Sequence, residues 1–90
     1  MIKRYRIKFK GLVQGVGFRW TACNAANMYR LTGYVKNEYD GSVICEVQGK
    51  DEEIDMFIAV IQSGRFIEVL DIEKREIPVD EEERSFDVRY

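Results

Sequence analysis

Within the first thirty residues of this chain the hydrophobic period changes from two to helical spacing, across a segment that holds three glycines, Gly11-Leu12-Val13-Gln14-Gly15-Val16-Gly17-Phe18-Arg19. Before it, residues 2–10 alternate. Tyr5, Ile7 and Phe9 fall on one face and Arg4, Arg6, Lys8 and Lys10 on the other, which predicts a half-buried strand whose basic face looks toward water. After it, Phe18, Ala22, Ala25, Ala26 and Tyr29 recur at helical spacing, predicting a helix over 18–30 that stops before Gly33. Its apolar stripe is narrow and rich in alanine, so it can sit close to whatever it covers.

The remaining elements follow from the same two periods. Residues 34–37 read as a strand, Tyr39-Asp40-Gly41 as a turn, and 42–48 as a second strand with Val43, Cys45 and Val47 inward, together a hairpin. Asp51-Glu52-Glu53 places acidic residues where a helix start favours them, and Ile54, Phe57, Ile58 and Ile61 form a stripe ending near Gly64. Residues 66–77 are strand-like through Val69, Leu70 and Ile72, 78–84 form an acidic connection, and Phe86, Val88 and Tyr90 alternate in a short last strand. This order predicts an α+β fold, a ferredoxin-like split βαβ sandwich, with an antiparallel sheet of four to five strands carrying both helices on one face. Residues 1–90 are expected to form a single domain. In that topology the first two strands run in the same direction on either side of the third, so the glycine loop and Asn37 share one sheet edge, about 10 Å apart.

With 46% hydrophobic and 33% charged residues and one proline, the chain has the balance of a folded globular protein. A formal charge of −2 argues against a general nucleic-acid or membrane-surface binder, although a small anion needs only a local positive pocket. No apolar run approaches a membrane span, and Met1-Ile2-Lys3-Arg4 leads directly into a strand pattern, so a cytoplasmic location is expected. Cys23 and Cys45 lie far apart in sequence and read as buried free thiols. There is no histidine, which removes the commonest general base and the commonest metal ligand together.

Glycines let successive backbone N–H groups converge, and a helix N-terminus adds unpaired donors and a positive dipole end. The loop is therefore either an anion cradle completed by Arg19 or a structural turn. It lacks the lysine and hydroxyl residue of a nucleotide-binding P-loop, the spacing of a dinucleotide fingerprint, and a cysteine nucleophile. Water is the nucleophile left for any phosphoryl transfer. Asn37 is either a strand-end residue or one that holds a water by its carboxamide oxygen. Lys36 and Asp40 read as solvated hairpin charges.

Two segments together resemble the acylphosphatase family. Val13-Gln14-Gly15-Val16-Gly17-Phe18-Arg19 is similar to its signature loop, and Gly33-Tyr34-Val35-Lys36-Asn37 followed by Asp40-Gly41-Ser42-Val43 to its second motif. The ending Ser85-Phe86-Asp87-Val88-Arg89-Tyr90 is similar too, whereas Ser63-Gly64-Arg65-Phe66 lacks the family's frequent Gly-Pro, in a loop expected to lie away from the site. The resemblance implies hydrolysis of an acyl phosphate to a carboxylate and inorganic phosphate, without metal or cofactor. Arg19 would bind the phosphoryl oxygens, backbone N–H groups of Gln14, Gly15, Val16, Gly17 and Phe18 would complete the cradle, and Asn37 would orient the water. A carboxylate leaves without a general acid, which suits a site lacking histidine. Two other readings remain: a non-catalytic phosphate-binding module of the same fold, and an RNA-binding sheet, which the absence of aromatics on the outward face of the first strand disfavours. The partners expected are a small acyl phosphate as substrate and inorganic phosphate as product, handled by a monomer, with no nucleic acid or membrane.

Overall fold

A computed structural model describes residues 1–90. Its elements follow in the order β1 (Ile2–Leu12), α1 (Phe18–Met28), β2 (Thr32–Asn37), β3 (Val43–Lys50), α2 (Asp51–Gln62), β4 (Glu68–Ile77) and β5 (Phe86–Arg89). The strands form one sheet in the order β4-β1-β3-β2-β5. Four of them pair antiparallel, as the ferredoxin-like pattern requires, while β5 joins β2 in parallel and makes the sheet mixed. The direction of β5 has a simple cause. β4 ends where Ile77 faces Arg4, at the start of β1, and β5 enters where Phe86 faces Gly33, at the start of β2. The connection thus crosses the sheet along one end and can only re-enter running the same way as β2.

Both helices cover one face. Ala22, Ala25 and Ala26 of α1 and Ile54, Phe57 and Ile61 of α2 are buried in one cluster with Ile7, Phe9, Val35, Cys45 and Val47 of the strands. α1 ends at Met28, earlier than its hydrophobic spacing predicts. Arg30 takes the left-handed conformation, φ 57°, and the Leu31 N–H reaches back to the Ala26 carbonyl at 2.8 Å, which closes the helix before Gly33 is reached. Each helix runs back antiparallel to the strand before it. The start of α1 and the end of α2 therefore lie at the edge where β1 and β2 finish, and Leu12 there faces Glu68, the first residue of β4.

The face without helices corrects the expectation of a solvated basic surface. Arg4 is only 5% exposed. Its guanidinium donates to Glu83 at 2.6 Å, to Glu46 at 3.0 Å and to Gln48 at 3.3 Å. Glu46 also accepts from Arg6 and from the Tyr34 hydroxyl, each at 2.9 Å. Burial pushes the Glu46 carboxyl up, but these donors outweigh it and hold the group below its ordinary range. Gln48 clasps the backbone of Asp80 at 2.8 and 2.9 Å, pinning the crossing connection over Arg4. Tyr34, an aromatic on this face, is covered by Arg89, whose guanidinium carbon lies 3.9 Å from the ring centroid. Cys23 and Cys45 are free, and burial raises both thiols above their ordinary pKa, that of Cys45 far above.

Candidate active site

The loop between β1 and α1 is anchored at both ends by core side chains. Val13 is fully buried, and Phe18 packs edge-on against Phe9 with centroids 5.1 Å apart. Between them Gly15 and Gly17 take φ of 73° and 80°, a turn that an L side chain resists. Gly11 does not belong to this cradle. β1 continues through Leu12, and Gly11 sits at a bulge where a Cβ would lie 2.3 Å from the Glu68 carbonyl oxygen, so its glycine serves the close approach of β4.

Gly17 caps α1, and no side chain caps the helix. The first N–H of this stretch to find a partner is that of Thr21, which donates to the Gly17 carbonyl at 3.0 Å; none of the N–H groups from Gly15 to Trp20 donates to another group of the protein. They are free to meet an anion, at the positive end of a helix. Arg19 lies half-buried among them. Lys3, Arg4, Arg6, Lys8, Lys10 and Lys74 are each held by a carboxylate, whereas Arg19 forms no ion pair and rests 5.6 Å from the centroid of the Tyr90 ring.

A cleft of about 300 Å³ brings Gly15, Gly17, Phe18 and Arg19 together with Asn37, although the two segments come from different strands. The shared sheet edge expected from the topology is thus present. Asn37 closes β2, and its carboxamide oxygen is buried without a hydrogen-bond partner. Such a group costs about 1–3 kcal/mol when nothing meets it, which marks it as an acceptor for something that enters the cleft. Asp40, read from sequence as a solvated charge, shapes the adjoining turn. It accepts from the Ser42 hydroxyl at 2.5 Å and N–H at 3.0 Å and pairs with Lys8 at 3.0 Å, and these contacts hold its carboxyl well below the usual range.

The Gln14 side chain has a task that its sequence context did not disclose. Its Nε2 donates to the carbonyls of Glu38 at 2.7 Å and Ser42 at 2.8 Å, tying the cradle to the hairpin that carries Asn37. Trp20, Val88 and Tyr90 also line the cleft and were not anticipated. The signal for the last two is the pairing of β5 with β2: Lys36 faces Arg89, so the next residues along, Asn37 and Tyr90, fall side by side. Gln14, Lys36, Glu38 and Tyr39 line a second cleft, of about 440 Å³, that reaches Asn37 and Tyr90 from the hairpin side.

The profile of the acylphosphatase family matches residues 5–88. An acylphosphatase of Clostridium acetobutylicum is 45% identical over 91 aligned residues that cover all of both chains. One from Oceanobacillus iheyensis is 40% identical, covering 99% of this chain and all of its own. The crystal structure of an acylphosphatase from Bacillus subtilis superposes with a TM-score of 0.91 at 35% identity, again over the full length of both chains.

Proposed function

The chain belongs to the acylphosphatase family and is an enzyme that hydrolyses acyl phosphates, and we propose that Arg19 and the 13–19 loop hold the phosphoryl group while Asn37 aims the attacking water. The observation that carries these assignments is the single cleft in which an arginine without a carboxylate partner faces a buried carboxamide oxygen without a donor. The Arg19 fork matches two phosphoryl oxygens, and the backbone N–H groups of Gln14, Gly15, Val16, Gly17 and Phe18 meet the remaining charge. Gln14 contributes its side chain to the hairpin, so only its N–H is offered to the ligand.

In the reaction, the water oxygen forms a bond to phosphorus as the bond from phosphorus to the acyl oxygen breaks. The electron pair of the broken bond leaves on the carboxylate, and a water proton passes to a phosphoryl oxygen of the substrate. The products are a carboxylate and inorganic phosphate. No protein group has to protonate the leaving group, so alignment and charge stabilisation carry the step. In the same reading the chain acts as a monomeric 1–90 domain in the cytoplasm, on small molecules rather than nucleic acid or membrane. No helix is long and apolar enough to cross a membrane. Release of phosphate from acetyl phosphate by the purified protein above the spontaneous rate tests the activity, and a rate equal to the spontaneous one would leave only a phosphate-binding module.

A further inference from the structure

Two turns border the cleft of Arg19 and Asn37, and they are held differently. The 63–67 corner, expected away from the site, lies at its rim because α2 ends at this edge of the sheet, and it lines a cleft of about 320 Å³ together with Gly17 and Trp20. It is closed by local backbone bonds: the N–H groups of Ser63 and Gly64 bond Ala59 and Ile61, and the Ile67 N–H bonds Gly64. The turn after Asn37, residues 38–42, also closes on its own backbone, with the Glu38 N–H on the Ser42 carbonyl at 2.9 Å and the Gly41 N–H on the Glu38 carbonyl at 3.2 Å. Two side chains grip it from outside as well, Gln14 from the cradle and Lys8 from β1.

Lys8 has an acidic residue directly across from it, Glu73 of β4, an arrangement that favours a cross-strand ion pair. Glu73 is instead taken by Lys10 at 2.6 Å. The Lys8 ammonium turns the other way, over β3, where it faces Ile44, and meets Asp40 in the turn at 3.0 Å. Asp40 also takes the hydroxyl and N–H of Ser42, and the Ser42 carbonyl receives Gln14 and Glu38. The Lys8 and Asp40 side chains are 30% and 56% exposed, and an ion pair so open to water contributes little to folding. What it constrains is geometry. The Asn37 carboxamide oxygen has no partner in the protein, so its aim follows the backbone that carries it. Asn37 faces Val43 at the last step of the β2–β3 register, and the turn begins at the next residue.

We propose that Lys8 and Asp40 are positioning residues for the hydrolysis: their ion pair holds the 38–42 turn, and Asn37 with it, against the strand that leads into the phosphate cradle. The inference rests on the assignment of the attacking water to Asn37 made above. β1 runs from Lys8 through Leu12 into the cradle, so one continuous stretch carries the phosphate site and, at Lys8 and Gln14, both side-chain grips on the turn. Loss of the Lys8 grip leaves the cradle intact and loosens the placement of the water.

The test measures kcat and KM for acetyl phosphate and the inhibition constant of inorganic phosphate. Lys8→Met keeps an apolar stem facing Ile44 and removes the ammonium; kcat falls about fivefold, the most an exposed ion pair of this kind supports, while KM and phosphate inhibition stay within about twofold of the parent. Lys8→Arg rebuilds the pair and restores kcat. Asp40→Asn leaves an oxygen for Ser42 but no charge for Lys8, and it lowers kcat as Lys8→Met does. The double variant is no slower than either single one, because both remove the same contact. Lys3→Met breaks a similar pair, with Asp51 at 3.1 Å at the far end of β1, and leaves kcat at the parent value. Melting temperatures within a few degrees of the parent show that the variants fold. Parental kcat in Lys8→Met, a loss that Lys8→Arg does not rescue, or a loss matched by weaker phosphate inhibition would overturn the positioning role and leave the enzyme assignment standing. Parental kcat in Asn37→Ala, measured alongside, would overturn the underlying assignment of the water instead.

Discussion

Replacing Gln14 with alanine removes two hydrogen bonds that tie the phosphate cradle to the hairpin, Nε2 to the Glu38 carbonyl at 2.7 Å and to the Ser42 carbonyl at 2.8 Å. Neither acceptor is orphaned by the loss. Glu38 O keeps the N–H of Gly41 at 3.2 Å, and Ser42 O keeps the N–H of Glu38 at 2.9 Å. The cost is therefore the net value of two neutral bonds without a desolvation penalty, about 1–2 kcal/mol, or a melting temperature lower by about 5–10 °C for a domain of this length. The effect on catalysis is larger than on folding. The tie holds the loop that carries Arg19 against the hairpin that carries Asn37, and a misplacement on the order of 1 Å between reacting groups costs about a hundredfold in rate. Acetyl phosphate hydrolysis should fall at least tenfold in kcat while inhibition by inorganic phosphate, which needs the cradle alone, changes by less than about threefold. Gln14→Glu should be worse in both melting and rate, because an ionised carboxylate has no hydrogen to donate and faces two carbonyl oxygens. A Gln14→Ala protein that melts and turns over like the parent would refute the coupling.

Other expectations concern the open face and the pH response. Arg4→Met should cost about 3 kcal/mol in urea unfolding, since it strips Glu83 and part of Glu46 of a buried partner, and adding Glu83→Gln should recover part of it. Equal stability of Arg4→Met and the parent would remove that network from the account. Asp40 has a pKa below its unfolded value of about 3.9, so its contribution is fully present above that pH and is lost as pH falls toward the folded value. Asp40→Asn should accordingly flatten the dependence of unfolding free energy on pH below about 4, and an unchanged slope would contradict the depressed carboxyl. With no histidine in the chain, kcat should stay level between about pH 5 and 8; a steep bell there would require a titrating group that the proposed site lacks.

The elements through α2 and their order were legible because each presents a clean period, whereas the fourth strand does not alternate, and the meeting of the loop with Asn37 followed from strand order alone. The limits were physical. Alternation in Arg4, Arg6, Lys8 and Lys10 identifies a face but not its cover, and burial of Arg4 came from Glu46 and Glu83, one on the third strand and one in a connection after the fourth. The earlier end of α1, at Met28, was hidden because a non-glycine residue, Arg30, took the left-handed position. Gly11 carried the same letter as Gly15 and Gly17 while answering to a strand contact. The place of the 63–67 corner was recoverable: a helix that runs back along the third strand must end at the edge where β1 and β2 finish. What no periodicity could supply was the free oxygen of Asn37 or the reach of Gln14, since both depend on atoms brought together from separate strands.

In the proposed site one cleft divides its work, Arg19 and the loop binding phosphate and Asn37 placing the water. Parallel measurement of acetyl phosphate kcat and of the inhibition constant for inorganic phosphate in Arg19→Ala and Asn37→Ala tests it most directly. Arg19→Ala should lose measurable turnover and weaken phosphate inhibition, while Asn37→Ala should lower kcat about a hundredfold or more and leave phosphate inhibition close to the parent value. An Asn37→Ala protein with parental kcat would contradict it.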